Sequence, residues 1–119
     1  MFAAVEGTVD RALEREACWR RLGELCELEA RIKQEVTQLV RGADERGDWQ
    51  AAGFASSAQW FAQAYRTDHR SAVQITRTSS ALASLPALDD ALGTGALTLD
   101  QVAAAAEFAT PASDAELAR

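Results

Sequence analysis

Apolar positions recur at helical intervals along nearly the whole chain, and no stretch alternates in the manner of a strand. From Thr8 to about Arg46 there is no proline. Cys18, Leu22, Leu25, Ile32, Val36, Leu39 and Ala43 follow a heptad rhythm there, interrupted where Glu29 takes an apolar slot. The pattern predicts a helix over 8–46, either continuous or in two pieces kinked at Gly23. A glycine inside a helix costs roughly 1 kcal/mol relative to alanine. At ~1.5 Å per residue such a helix exceeds about 50 Å, more than a domain of this size covers. Three accounts of its apolar stripe stay open: a second protomer, sequence outside this chain, or the rest of the chain folded over it.

The punctuation after that helix is dense. Gly42, Gly47 and Gly53, with Asp44, Glu45, Arg46 and Asp48, mark its exit and a short connector, which Trp49 and Phe54 are expected to anchor. Ser56 followed by Gln59 is a capping-box start, and Ala58, Phe61, Ala62 and Tyr65 then form one apolar stripe. Arg66-Thr67-Asp68 breaks the stripe, and Thr67 or Asp68 can cap a second helix to about Ser84 that buries Ala72, Ile75, Ser79 and Leu82. Pro86 opens a short helix through Leu92, Gly93-Thr94-Gly95 reads as a turn, and Thr98 with Gln101 caps an alanine-rich helix to about Phe108. After Pro111, Ser113-Asp114 looks like the cap of a further helix that Arg119 cuts short, the pattern of an N-terminal region of a longer protein. The expected fold is all-α: one domain over 1–119, with a long N-terminal helix followed by a helix-turn-helix-like helical bundle. Residues 56–84 supply the helix-turn-helix unit and 86–108 two short helices.

Composition adjusts this picture in two respects. The 119 residues are 48% hydrophobic and 25% charged, ordinary for one globular domain, but alanine supplies much of the apolar share. The core must therefore lean on three Trp, four Phe and the Leu, Ile and Val positions. No apolar run approaches the ~18 residues of a membrane span, and Glu6 and Asp10 stand where a secretory leader would be basic and then apolar. A cytoplasmic protein is expected. The net charge of −6 argues against nucleic acid until it is divided. Residues 1–53 carry 8 basic and 11 acidic side chains, and 85–119 carry Arg119 against six acids. Residues 54–84 carry Arg66, Arg70 and Arg77 against Asp68 alone, the one net-positive stretch. Three arginines are a small electrostatic footprint, which a dimer would double.

That basic stretch is also where candidate chemistry concentrates. A helix-turn-helix needs a small residue in its first helix, a sharp turn, and apolar anchors on the second. Ala62, Arg66, and the pair Ala72 and Ile75 fill those places. Arg66 stands where glycine is usual, and a left-handed conformation there would cost about 1 kcal/mol. At 100° per residue Arg70, Gln74 and Arg77 line up opposite the anchors. Arginine can grip guanine and glutamine adenine bidentately in a major groove. Ser71 and Thr78 hydroxyls and His69 could meet phosphates. The same stripe also fits a plain solvated face. One histidine, no metal-ligand cluster and no phosphate-cradling glycine loop leave nothing to assemble a catalytic site, metal site or cofactor site. Cys18 and Cys26 stand about 12 Å apart along one helix and cannot bridge each other. They read as buried free thiols, or as a bridge between two copies of the helix.

Several of these residues carry a resemblance. Trp60-Phe61-Ala62, Ala72, Leu82-Ala83-Ser84-Leu85-Pro86-Ala87-Leu88 and Ala91-Leu92-Gly93-Thr94-Gly95-Ala96-Leu97-Thr98 together resemble the actinobacterial 13E12-repeat family, domain of unknown function 222. The resemblance covers about Cys18 to Arg119, and its Leu-Pro to Gly-x-Leu-Thr stretch is the most specific part. It implies a region that precedes an HNH endonuclease domain, which a chain with only His69 cannot itself contain. The same stretch is similar to the DNA-binding region of ParB-type partition proteins, which implies that 68–84 is the recognition helix. The expectation is thus a module that binds double-stranded DNA and forms a homodimer through the long N-terminal helix. The alternative is a helical protein-interaction module without DNA binding.

Overall fold

The computed structural model describes residues 2–119, with side chains from Gly7 onward. Among them the architecture is all-α: α1 (Phe2–Arg46), α2 (Asp48–Ala51), α3 (Ser57–Ala64), α4 (His69–Leu82), α5 (Pro86–Thr94), α6 (Leu99–Ala106) and α7 (Asp114–Leu117). None of these helices is long and apolar enough to cross a membrane.

The predicted long helix is a single element. α1 runs unbroken for 45 residues, through Gly23, which sits in open space, and through Gly42. Gly47 and Gly53 adopt positive φ and make the turns on either side of α2, where the absence of a Cβ removes the left-handed penalty. Trp49 donates its indole N–H to Asp44 at 3.0 Å and ties the connector back onto α1.

Two apolar clusters hold the body together. Val40 of α1, Ala58 and Phe61 of α3 and Ala72 of α4 form the first, flanked by Val36, Trp60, Ala62, Val73 and Ile75. Leu82, Leu85, Leu88, Leu92 and Val102 form the second, where α4, α5 and α6 meet. Ile75, expected in the core, is half-buried at the edge of the first cluster. Burial of these few leucine, valine and phenylalanine side chains, at about 1.5–3 kcal/mol each, is the body's main support.

Two ties join elements that lie far apart in sequence. Gly93 is not part of a turn; it is buried in the last turn of α5, and a methyl group there would run into the amide of Gln34 on α1. That amide donates to the Asp89 carbonyl at 3.0 Å, so the missing side chain lets α1 and α5 approach closely. Asp114 does not cap its own helix. Its carboxylate, only 3% exposed, accepts from the amides of Ala87 and Leu88 at 2.6 and 2.9 Å and closes the N-terminus of α5. Pro86 fills the first helical position of α5 and Leu85 has no capping side chain, so the cap comes from α7 instead.

The body covers only the C-terminal part of α1. Among the side chains described on this helix Ala30 is the first that is buried, and every one from Thr8 to Glu29 is exposed. The helix is therefore not folded over by the rest of the chain along its length, because the six shorter helices span only its last turns. Cys18 and Cys26 are both exposed, which overturns the expectation of buried thiols: they lie on the projecting part of α1.

Candidate nucleic-acid interface

α3 and α4 form the helical hairpin that the sequence predicted over 56–84. The Ser56 hydroxyl accepts from the Gln59 amide at 3.1 Å and starts α3. Asp68 does the same for Ser71 at 3.1 Å and starts α4. Hydrogen bonding from Ser71 holds the exposed Asp68 carboxyl below its ordinary pKa. Between the two caps, Arg66 takes φ 53°, the only positive φ outside glycine among the described residues. The Thr67 amide then reaches back to the Ala62 carbonyl at 3.1 Å, the six-to-one bond of a Schellman motif. Arg66 thus occupies the left-handed position where glycine is customary, as the pattern required. Thr67 Oγ1 is enclosed without a hydrogen-bond partner, at a place that usually carries an apolar side chain.

The first turn of α4 is open. His69, Arg70 and Ser71 are exposed on it, and Arg66 is exposed in the turn before. Arg77 is exposed two turns further along. The other two candidates lie differently. Thr78 is 3% exposed, packed toward α6, so its hydroxyl is closed off from a phosphate. Gln74 is half-buried, and its amide donates to Asp100 on α6 at 2.8 Å. The stripe Arg70, Gln74 and Arg77 is consequently not a free outer face. It forms one wall of a groove of about 500 Å³ between α4 and α6, with Asp100 and Glu107 on the opposite wall and alanines along the floor. Wheel geometry placed these residues opposite Ala72 correctly but could not show that α6 lies alongside.

This arrangement divides the candidate surface electrostatically. Around Gln74, two arginines face two carboxylates, and a phosphate approaching there meets no net attraction. At the hairpin end, Arg66 lies in the turn before α4 and does not line this groove, and Arg70, at the groove's edge, stands in the first turn of α4 beside the amides of a helix N-terminus, a combination that favours anions. Asp68 opposes it by one charge. No protein-family model, curated protein or solved structure matches the chain.

Proposed function

We propose that this chain is a DNA-binding helical module that dimerises through its long N-terminal helix and leaves catalysis to a separate domain. The observation that carries the reading is the α3–α4 hairpin: a left-handed turn at Arg66, followed by a capped helix whose first turn exposes His69, Arg70 and Ser71. In helix-turn-helix proteins the N-terminal residues of the second helix contact base edges, while the neighbouring backbone and side chains hold phosphates. The contact set is accordingly narrower than the sequence stripe: Arg66, His69, Arg70, Ser71 and Arg77, without Thr78 and with Gln74 only if it leaves Asp100. The resemblance to the 13E12-repeat family supports placing such a module beside an HNH endonuclease domain in the cytoplasm.

The test is an anisotropy titration of the chain with a labelled duplex at low salt. Arg70→Ala is expected to weaken binding by roughly 10-fold or more. Arg66→Gly is expected to weaken it as well while relieving the left-handed turn, raising stability by about 0.5–1 kcal/mol. Weaker binding by a more stable protein cannot be blamed on unfolding. Binding that is absent, or indifferent to both changes, rejects the DNA reading.

A second reading has its own observation. The Gln74–Asp100 bond and the mixed charges of the α4–α6 groove suit a polypeptide partner better than a phosphate backbone. Under that reading DNA affinity is negligible and Gln74→Ala alters partner binding alone.

A further inference from the structure

The face of α1 that the body covers continues beyond the body. At 100° per residue Val40 and Ala43, both buried, share one sector of the helix with Leu22, Leu25 and Cys18. From Ala30 onward that sector is interior. From Arg15 to Leu25 the same sector is bare, with Trp19 63% and Leu22 53% exposed, and Cys26 and Glu29, though exposed, border a shallow groove beside Gly95 and Leu97 of the body. An interior-type face thus loses its cover halfway along a continuous helix.

The residues on this exposed sector are arranged symmetrically. Leu22 is central, Trp19 and Leu25 stand three residues to either side, Cys18 and Cys26 four, Arg15 and Glu29 seven. We propose that two copies of this chain pair antiparallel along α1, crossing at Leu22 on a two-fold axis. This deepens the dimer reading above, on which it rests, and is independent of DNA binding. In that register Leu22 meets its own copy, Trp19 meets Leu25 of the partner, and Arg15 meets Glu29 of the partner at both ends. A two-fold interface must be self-complementary, and this pattern is. Parallel pairing sets Arg15 against Arg15 and Glu29 against Glu29, and brings both bodies to the same level on the same side of the seam. Among the described residues Glu29 pairs with Lys33 at 3.2 Å, an exposed bond worth little and readily exchanged.

The crossing spans 15 residues, about 21 Å, and covers on the order of 500 Å² per copy. That meets the lower bound for a specific interface, so the dimer is expected to dissociate in roughly the micromolar range. The two cysteines report the register directly. Cys18 of one copy lies against Cys26 of the other, whereas each cysteine is about 12 Å along the helix from its own counterpart.

The experiment uses the whole 119-residue chain. Sedimentation from about 1 to 100 µM is expected to show a monomer–dimer equilibrium. Diamide, a two-electron oxidant that takes up the two thiol protons, should then link Cys18 of one copy to Cys26 of the other. Cys18→Ser alone and Cys26→Ser alone should give no linked dimer, and a mixture of the two should. Trp19→Glu should raise the dissociation constant by on the order of 30-fold with helicity by circular dichroism unchanged. Leu39→Glu, at an exposed position outside the sector, should not. A monomer throughout overturns both the dimer and the register. Self-linking of either single-cysteine variant overturns the antiparallel register while leaving a dimer. Loss of the dimer in Leu39→Glu, or its persistence in Trp19→Glu, overturns the assignment of the surface.

Discussion

At the scale of single residues, the caps of α3, α4 and α6 were legible because both partners lie within one helical turn of each other. Thr98 and Gln101 form the complete reciprocal box, with bonds of 3.2 and 2.9 Å, and Arg66 adopts the left-handed geometry its position demanded. Asp68 was one of two named caps, and the structure selects it over Thr67. Its charge gives a pH dependence whose sign is fixed. The carboxyl titrates below its ordinary value in the folded chain, so the ionised cap stabilises α4 above the usual aspartate range. That contribution is lost as pH falls through the folded value. The difference in melting temperature between the wild type and Asp68→Ala should therefore be largest near neutrality and shrink as the pH falls to and below the ordinary aspartate range. A difference that stays constant across this range would mean that the charge on Asp68 contributes nothing.

At the scale of elements, helix order and type followed from periodicity, but the pairing between helices did not. Gln74 with Asp100, Gly93 with Gln34 and Asp114 with the α5 amides all join residues more than 20 positions apart. No local pattern announces such partners. Gly93 illustrates why: followed by Thr94 and Gly95 it reads as turn chemistry, yet only a neighbouring helix explains the missing side chain. The same blindness put Gln74 on an outer face and offered the buried Thr78 hydroxyl to a phosphate, since a helical wheel contains no neighbour. Asp114 is the tie with the largest measurable consequence. Removing its carboxylate leaves two enclosed amides at the start of α5 without acceptors, so Asp114→Ala should cost about 1–3 kcal/mol in urea unfolding. If the loss is indistinguishable from zero, α7 does not hold α5 in solution.

At the scale of the whole molecule, the heptad rhythm was visible and its meaning was not. Periodicity shows that a face is apolar without showing what covers it, and cysteines on such a face read as buried. The molecule measures 70 × 35 × 20 Å with a radius of gyration of 19.7 Å, where a compact chain of this length would have about 13–14 Å. The difference is the projecting part of α1, whose amides are held by hydrogen bonds within one helix alone. Hydrogen exchange at low concentration should be fast from Thr8 to Glu29 and slow around Leu88, Leu92 and Val102, the centre of the second cluster. Equal protection in both regions would mean that the arm folds back onto the body in solution.

The unbroken passage of α1 through Gly23 makes that arm a rigid shaft, and a shaft transmits angle as well as distance. Each residue added between Leu22 and Ala30 moves the body about 1.5 Å outward and turns it about 100° around the axis. Seven added residues would nearly restore the original azimuth some 10 Å farther out, whereas two would swing α4 to the far side. In the proposed dimer the length of this segment would therefore set the phase at which the two bodies present their hairpins, as the pitch of a screw sets where its thread emerges.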